Sequence, residues 1–189
     1  MAPVPSTSPS PRRDEIVSVA GRLLDAHGPE AVTMRAIATE MGIRAPSLYK
    51  HIADKRELEV ALIADALAAV ADVYGAAVAG SPQPLADLAR AYRAWAVDHP
   101  HRYRLMTERP LPRAELPPGL EARAAAPVIA ACGGDPDRAR AAWAFAHGMV
   151  MLELADRFPP DADLDAAWTT GITALAIPTH STPTPEVTR

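Results

Sequence analysis

The sequence predicts an all-α protein. Apolar residues make up 49% of the 189-residue chain and aromatic residues only 5%, so alanine and aliphatic side chains must fill most of the core. Such a composition favours closely packed helices over sheets. Apolar residues also recur at helical spacing between Gly and Pro breaks, and no segment shows the alternation typical of a strand. The length allows a sizeable core in one compact body or two small domains.

The front half of the chain contains four predicted helices. The first runs from Asp14 to His27 and ends at Gly28-Pro29. Thr33 is the predicted N-cap of a second helix that ends at Met41, and Gly42 then supplies a left-handed turn. Pro46 suits the first turn of a third helix to about Ile52, and Asp54 caps a long fourth helix over 55–78.

The back half is predicted to form five further helices. The first has Leu85, Leu88, Tyr92 and Trp95 on one face and breaks at His99-Pro100. A short helix follows around Tyr103, and the four prolines of residues 109–118 indicate a loop. Three helices complete the chain, over about 119–132, from Asp135-Pro136 to about Arg157, and over about 163–176.

Both ends of the chain are predicted to be disordered. Residues 1–11 and 178–189 are rich in Pro, Ser and Thr and have little apolar surface to bury.

The N-terminal segment lacks the apolar run of a secretory signal, and no uncharged apolar stretch of about 20 residues predicts a membrane span. Cys132 is the only cysteine, which fits a reducing compartment. We therefore expect a cytoplasmic protein with no membrane partner.

Residues 33–55 indicate the functional class. They read as two short helices joined by a tight turn at Gly42, and the second is polar and basic, as required of a helix that enters a DNA major groove. Residues 1–56 carry a net charge of +2 and the remainder −6, which suits contact with DNA at one end only. We expect a DNA-binding domain over 12–56, joined through the helix at 55–78 to a regulatory domain over 57–177.

Side chains that can reach base edges or phosphates are concentrated in this region. Arg12 and Arg13 would act as a flexible arm, and Thr33 with the backbone N–H groups after it would form a phosphate site. The candidates within and after the helix-turn-helix are Arg35, Arg44, Ser47, Tyr49, Lys50, His51 and Lys55. The alternative is that the cations are merely solvated and that Tyr49 belongs to the core.

The run GIRAPSLYKHIADKREL, residues 42–58, resembles the DNA-binding region of the TetR family of bacterial repressors. The matching positions are Gly42, Ser47, Leu48, Tyr49, His51 and Lys55, together with Thr33 and Ala38, within a resemblance over about 14–67. The resemblance implies that Thr33, Tyr49 and Lys55 hold phosphates. It also implies that Arg35, Arg44, Ala45, Pro46 and Lys50 lie at the groove. Ile52 departs from the aromatic residue more common there.

The resemblance further implies an all-helical C-terminal half that dimerises and often binds a small molecule. Small residues on the last two long helices, such as Ala144 and Gly148, would allow a four-helix interface in a homodimer. The alternative is that these faces pack within one monomer. Trp143 and His147-Gly148 also resemble the W-x3-H-G signature of a TetR C-terminal subgroup.

Aromatic and sulfur-containing residues of the back half are candidates for an effector pocket with a polar handle. They are Tyr92, Trp95, Tyr103, Met106, Trp143, His147, Met151 and Phe158. The alternative for each is an ordinary core residue. We expect no metal site, because His99 and His101 flank a helix break without a suitably spaced carboxylate. No cofactor is expected either.

These features predict a dimeric, ligand-responsive transcriptional repressor that leaves a palindromic operator when a small apolar or amphipathic effector binds. An activator remains an alternative. A second alternative is an all-helical enzyme, but no nucleophile is paired with a base and no phosphate loop is present, so we expect a non-enzyme. A third is a dimeric adaptor that has lost DNA binding.

Overall fold

A computed structural model describes residues 11–176, and within this range every regular element is a helix, which confirms the all-α prediction. The α-helices are α1 Pro11–His27, α2 Met34–Glu40, α3 Lys55–Val78, α4 Pro84–Asp98, α5 Pro100–Thr107, α6 Leu120–Ala131, α7 Pro136–Leu154 and α8 Leu164–Ala176. Two 3-10 helices span Pro29–Ala31 and Ala45–Lys50. Apart from Pro11, which begins α1, the segments predicted to be disordered lie outside the described residues.

The N-caps predicted from the sequence are present. The Thr33 hydroxyl accepts a hydrogen bond from the Ala36 N–H at 3.1 Å, and the Asp54 carboxylate accepts one from the Glu57 N–H at 2.8 Å. Asp135 caps α7 in the same way. Each cap satisfies N–H groups that the first helical turn leaves unpaired, which explains why α2, α3 and α7 begin where they do.

Two helix boundaries differ from the sequence prediction. Helix α1 begins at Pro11 instead of Asp14, because proline fits a first helical turn and acidic residues there complement the helix dipole. Helix α7 ends at Leu154 instead of near Arg157. Asp156 adopts a left-handed conformation (φ 51°), and the Arg157 N–H bonds back to the Leu152 carbonyl at 2.9 Å, which closes the helix.

The buried residues form two main cores. The front core joins α1, α2, the 3-10 helix Ala45–Lys50 and the start of α3; its members are Ile16, Val19, Ala20, Leu24, Val32, Ile37, Ala38, Leu48, Ile52, Leu58 and Leu62. The back core joins the rest of α3 to α4–α8, and includes Val70, Tyr74, Tyr92, Trp95, Tyr103, Val150 and Trp168. Helix α3 contributes to both, so it connects the two halves of the fold.

Helix α3 is long and apolar enough, by length and composition, to cross a membrane, with a mean hydropathy of 1.7 in its most apolar window. A central helix of a folded core passes the same test. Here α3 packs against α1, α4, α5 and α6, and nine of its residues are buried. Its apolar character is therefore explained by its position between the two cores.

Helices α7 and α8 approach closely at Gly171. A side chain at this position would overlap the ring of Phe145, which itself packs edge-on against Trp168 with ring centroids 5.7 Å apart. Only glycine leaves room for this ring, so Gly171 fixes the separation of the last two helices within the protomer.

Gly171→Ala tests this packing. We expect the free energy of unfolding, measured by denaturant titration, to fall by about 1–3 kcal/mol because the Phe145 ring must move against Trp168. Gly75→Ala in α3 is the matched control, since no atom lies within 4 Å of the added Cβ. That variant should be more stable than the parent by about 0.5–1 kcal/mol. Equal stability of the Gly171 variant and the parent would contradict the assignment.

Candidate DNA interface and effector site

The helix-turn-helix is held by a left-handed glycine. Gly42 has φ +65°, and the Ile43 N–H bonds back to the Ala38 carbonyl at 2.9 Å, which ends α2 and reverses the chain. Leu48 and Ile52 are fully buried in the front core. They anchor the second helix of the motif, and its other face is left to solvent.

The second helix of the motif is a 3-10 helix, Ala45–Lys50, where the sequence predicted a helix from Pro46 to about Ile52. The segment is only six residues long and has Pro46, which has no N–H to donate, at its second position; short segments of this length commonly adopt i→i+3 hydrogen bonds. The exposed face carries Arg44, Pro46, Ser47, Tyr49, Lys50 and His51, and Ala45 is partly buried. Tyr49 is 53% exposed and therefore does not belong to the core.

The cations of the motif are without carboxylate partners. Arg35, Arg44, Lys50 and Lys55 are exposed, and none makes an ion pair with another described residue. Most arginines elsewhere in residues 11–176 pair with Asp or Glu, including Arg56 with Glu115 at 2.6 Å. Unpaired cations grouped on one surface can neutralise phosphates without first breaking an internal ion pair.

Arg12 and Arg13 lie in the first turn of α1, not in a flexible arm ahead of it. Arg12 pairs with Glu15 at 2.6 Å, and the Arg13 Nε lies 3.3 Å from a Glu57 carboxylate oxygen. Glu57 also accepts from the Ala53 N–H at 2.8 Å. This ion pair connects Arg13 to Glu57 in the first turn of α3. Because Lys55 lies in the same turn, Arg13 is held close to Lys55.

Several predicted effector contacts meet in one aromatic cluster, defined here as Tyr74, Tyr92, Tyr103, Trp143 and His147. The Tyr92 and Tyr103 hydroxyl oxygens are 2.7 Å apart, and the Tyr103 hydroxyl lies 2.7 Å from His147 Nδ1. The Trp143 and His147 rings stack at 5.8 Å, and those of Tyr74 and Tyr92 at 5.6 Å. Trp143 is 51% exposed, so the cluster reaches the surface through its indole.

The four remaining candidates lie apart from this hydrogen-bonded chain. Trp95 is buried and packs against His99 with ring centroids 5.2 Å apart, while Met106 and Met151 pack on the back core. Phe158 lies beyond the end of α7, in the connection to α8. Phe158 therefore shares no face of α7 with Trp143 and His147, because that helix is closed at Asp156.

Burial disfavours the charged forms of the residues in the cluster. It raises the pKa of Tyr92 to about 12 and raises the pKa of Tyr74 and Tyr103, while it lowers the pKa of His147. If Tyr92 donates to Tyr103 and Tyr103 donates to Nδ1 of a neutral His147, every group in the chain has a partner. The imidazole proton then lies on Nε2.

Little empty space remains beside the cluster. A cavity of about 20 Å³ is lined by Tyr92, Trp143 and apolar residues of α4, α6, α7 and α8. That is far smaller than the roughly 300–1,000 Å³ of typical small-molecule sites. An effector can enter this region only if these side chains move.

The small residues predicted to form a dimer interface divide into two groups. Ala142 is buried and Gly171 faces Phe145, so both serve packing within one protomer. Ala141, Ala144 and Leu152 are exposed along one stripe of α7. On α8, Ala166 and Ala174 are also exposed, among threonines. These stripes are available to a second copy of the chain.

Helix α5 links the aromatic cluster to the helix-turn-helix. Arg102 pairs with Asp25 of α1 at 2.7 Å and with Asp65 of α3 at 2.6 Å, while the next residue is Tyr103 of the cluster. A Cβ at Gly21 of α1 would lie 2.7 Å from the Arg102 guanidinium, so glycine is needed for this approach. A displacement of Tyr103 would therefore also move Arg102 and change its ion pair with Asp25 of α1.

Two family models match the chain over most of its described length. The description "Bacterial regulatory proteins, tetR family" matches residues 16–62, and "Tetracyclin repressor-like, C-terminal domain" matches residues 85–175. The chain is 35% identical over 175 residues to the HTH-type transcriptional regulator Rv0681 of Mycobacterium tuberculosis, covering 87% of this chain and 79% of that protein. The chain belongs to the TetR family. The resemblance of residues 42–58 is thus confirmed, and the W-x3-H-G subgroup stays a prediction.

Solved structures agree with this assignment. The regulatory protein SCO4313 superposes with a TM-score of 0.73 at 30% identity, covering 89% of this chain and 99% of that chain. The multidrug binding protein EbrR, solved with imidazole, superposes with a TM-score of 0.67 at 28% identity, covering 92% and 98%. A TetR regulator is a DNA-binding transcriptional regulator. Separately, among residues 11–176 no group of three His, Cys, Asp or Glu side chains could hold a metal ion.

Sequence reasoning missed two features of this TetR chain. Tyr74 stacks on Tyr92, and its spacing from Ala66 and Val70 on the inward face of α3 was a usable signal. Arg102 was also missed, because its partners Asp25 and Asp65 are distant in sequence and nothing local marks them.

The lowered pKa of His147 predicts a loss of stability in mild acid. Since the folded protein disfavours the imidazolium, the contribution of neutral His147 is complete above the unfolded pKa of about 6.5 and is lost as pH falls through the lower folded value. We expect the free energy of unfolding, from urea titrations between pH 7 and pH 5, to fall less in His147→Gln than in the parent. His27→Gln, exposed at the end of α1, is the control. The same pH dependence in the His147 variant and the parent would contradict the role of His147.

Proposed function

We propose that this TetR-family chain is a homodimeric transcriptional repressor that binds a palindromic operator in the cytoplasm and leaves it when a small amphipathic effector binds. The observation that carries the proposal is the group of unpaired cations on the helix-turn-helix, Arg35, Arg44, Lys50 and Lys55, beside the exposed hydroxyl of Tyr49. A surface of this kind is suited to a phosphate backbone.

In the proposed complex, Tyr49, Lys55 and Thr33 hold phosphates at the edge of the major groove. Lys55 starts α3 and Thr33 starts α2, so backbone N–H groups at both helix ends add to the side-chain contacts. Arg35, Arg44, Pro46 and Lys50 face the groove. Ala45 has no polar head, so shape and backbone contacts contribute much of the sequence preference.

The effector is proposed to enter at Trp143 and to displace the side chains around Tyr92. The multidrug binding protein EbrR, solved with imidazole, supports a small-molecule ligand for a chain of this fold. Because Tyr103 follows Arg102 in α5, an effector that moves Tyr103 also strains the Arg102 ion pairs to α1 and α3. This changes the position of the helix-turn-helix and biases the dimer away from the operator.

The proposed dimer is formed by α7 and α8 of both protomers. The exposed residues Ala141, Ala144 and Leu152, with the partly buried Gly148 on the same stripe, allow close helix contact, and a two-fold axis here makes a four-helix interface. Such symmetry places two recognition helices on one side of a DNA duplex, which matches a palindromic operator.

Operator binding tests the proposal directly. We expect Lys55→Gln and Tyr49→Phe each to weaken binding of DNA from the region upstream of the gene by about tenfold at low salt, because each removes one phosphate contact. The slope of log K against log salt concentration should become shallower by about 1 for Lys55→Gln. The measurement is fluorescence anisotropy with labelled DNA.

Arg90→Gln is the matched control, because Arg90 is an exposed cation of α4 that pairs with Asp87. It should bind DNA as the parent does. If all three variants bound the upstream DNA like the parent, the helix-turn-helix would be structural only, as in an enzyme or adaptor.

Leu152→Glu tests the dimer. Leu152 is 44% exposed in the protomer, and a charge there would be buried without a partner in the proposed interface. We expect the variant to sediment as a monomer at concentrations where the parent is a dimer. Val73→Glu, at a 36% exposed valine of α3, should leave the dimer intact. A dimeric Leu152 variant would exclude this interface.

A further inference from the structure

A larger cleft lies outside the aromatic cluster, where α5 meets the helix-turn-helix domain. It encloses about 400 Å³, compared with about 20 Å³ beside the cluster. We call it the junction cleft; its lining residues are Leu24, Pro29, Glu30, Val32, Lys55, Leu58, Glu59, Leu62, His101, Arg104, Leu105, Glu108 and Arg109. Its volume falls in the range of small-molecule sites.

One side of the junction cleft is apolar. Leu24, Val32, Leu58 and Leu62 are buried members of the front core, and Leu105 of α5 packs against them. The first four are at most 5% exposed, so the aliphatic surface open to the cleft is small and includes that of the partly buried Leu105. A ligand with a short hydrocarbon or aromatic body would bury this surface and its own.

The polar side of the junction cleft contains Glu59, a mostly buried carboxylate with only one weak ion pair. The Glu59 side chain is only 19% exposed, and its one ion-pair partner among the described residues is Arg109, at 3.4 Å. The Arg109 side chain is 74% exposed. An exposed arginine at this distance contributes little and can swing into solvent. Arg56, one turn earlier in α3, adds only a coulombic attraction.

The cationic side chains of the junction cleft either interact with other protein groups or are exposed to solvent. Arg104 donates to the Leu154 carbonyl at 3.0 Å and lies 3.7 Å from Glu108, so it is held toward the end of α7. Lys55 is exposed at the start of α3. An anionic ligand would also meet the carboxylates of Glu30, Glu59 and Glu108. The most buried charge available to a ligand is therefore negative.

We propose that the junction cleft binds a small organic cation, a primary amine on an apolar body, whose ammonium replaces the Arg109 guanidinium at Glu59. The body lies against Leu105, above the buried Leu24 and Leu58. The site shares no lining residue with the aromatic cluster, and only Lys55 also belongs to the surface proposed to meet DNA, so the amine site goes beyond the proposed function. Its walls come from both the helix-turn-helix domain and α5, so an occupant contacts both.

The test uses the full-length protein and three probes of similar size: 3-phenylpropylamine, 3-phenylpropan-1-ol and 3-phenylpropanoate. Leucine methyl NMR signals of Leu24, Leu58 and Leu105 report the junction cleft, and the Trp143 indole signal reports the aromatic cluster. We expect saturable shifts of the leucine signals with the amine. The alcohol should bind about tenfold more weakly because it lacks the charge-assisted hydrogen bond to Glu59.

Two variants are expected to change amine affinity in opposite directions, which distinguishes a specific effect from loss of folding. Glu59→Gln should weaken amine binding about tenfold, whereas Arg109→Ala should strengthen it several-fold by removing the competing cation, an effect of roughly the size of one ion pair. Glu40→Gln, at an exposed carboxylate outside the cleft, should bind the amine like the parent. Stronger binding of the propanoate, equal binding of the alcohol, an unchanged Glu59 variant, or shifts confined to Trp143 would each overturn the proposal.

Discussion

Helix α3 is the constraint on which the rest of the fold depends. Leu58 and Leu62 belong to the front core, and Ala66, Val70 and Tyr74 belong to the back core. Its 24 residues span about 36 Å as one continuous helix. Because the same helix is packed into both cores, the helix-turn-helix cannot change its position relative to the back core without tilting or bending α3.

Ion pairs from Arg102 form a second connection between the front core and the back half of the fold. Arg102 of α5 pairs with Asp25 of α1 and Asp65 of α3, at a place where Gly21 leaves room for the guanidinium. The front core is thus held by α3 and also by ion pairs from a short helix next to the aromatic cluster. Apolar packing changes little with small rotations, whereas a hydrogen-bonded ion pair depends on geometry. A rearrangement at Tyr103 would therefore act through Arg102 first.

The features that the sequence predicted well are set by local chemistry. The caps at Thr33, Asp54 and Asp135 and the turn at Gly42 follow from side chains and backbone freedom within a few residues. Helix α3 also has the predicted bounds, because Asp54 starts it and its apolar residues keep helical spacing over many turns. The register of residues 42–58 identified the family for the same reason, since the motif is contiguous.

The features that the sequence did not reveal depend on contacts between distant residues or on small energy differences. The partners of Arg102 lie 77 and 37 residues away, and the junction cleft is formed by three separate segments. The choice of a 3-10 helix at Ala45–Lys50 and the end of α7 at Leu154 depend on a few hydrogen bonds. Grouping the effector candidates by residue type placed Phe158 with the cluster, although the chain turns away before it.

The closed aromatic cluster limits what kind of effector the proposed function allows. Tyr92, Tyr103 and His147 satisfy one another through two hydrogen bonds of 2.7 Å. An effector that opens this chain and leaves one buried group unpaired loses about 1–3 kcal/mol of binding free energy. A pure hydrocarbon cannot recover that loss, whereas a ligand with a hydroxyl, carbonyl or ring nitrogen can replace the broken partner. On the proposed function, the cluster would therefore favour an amphipathic effector, because such a ligand can both fill the space beside Tyr92 and restore the hydrogen bonds that its entry breaks.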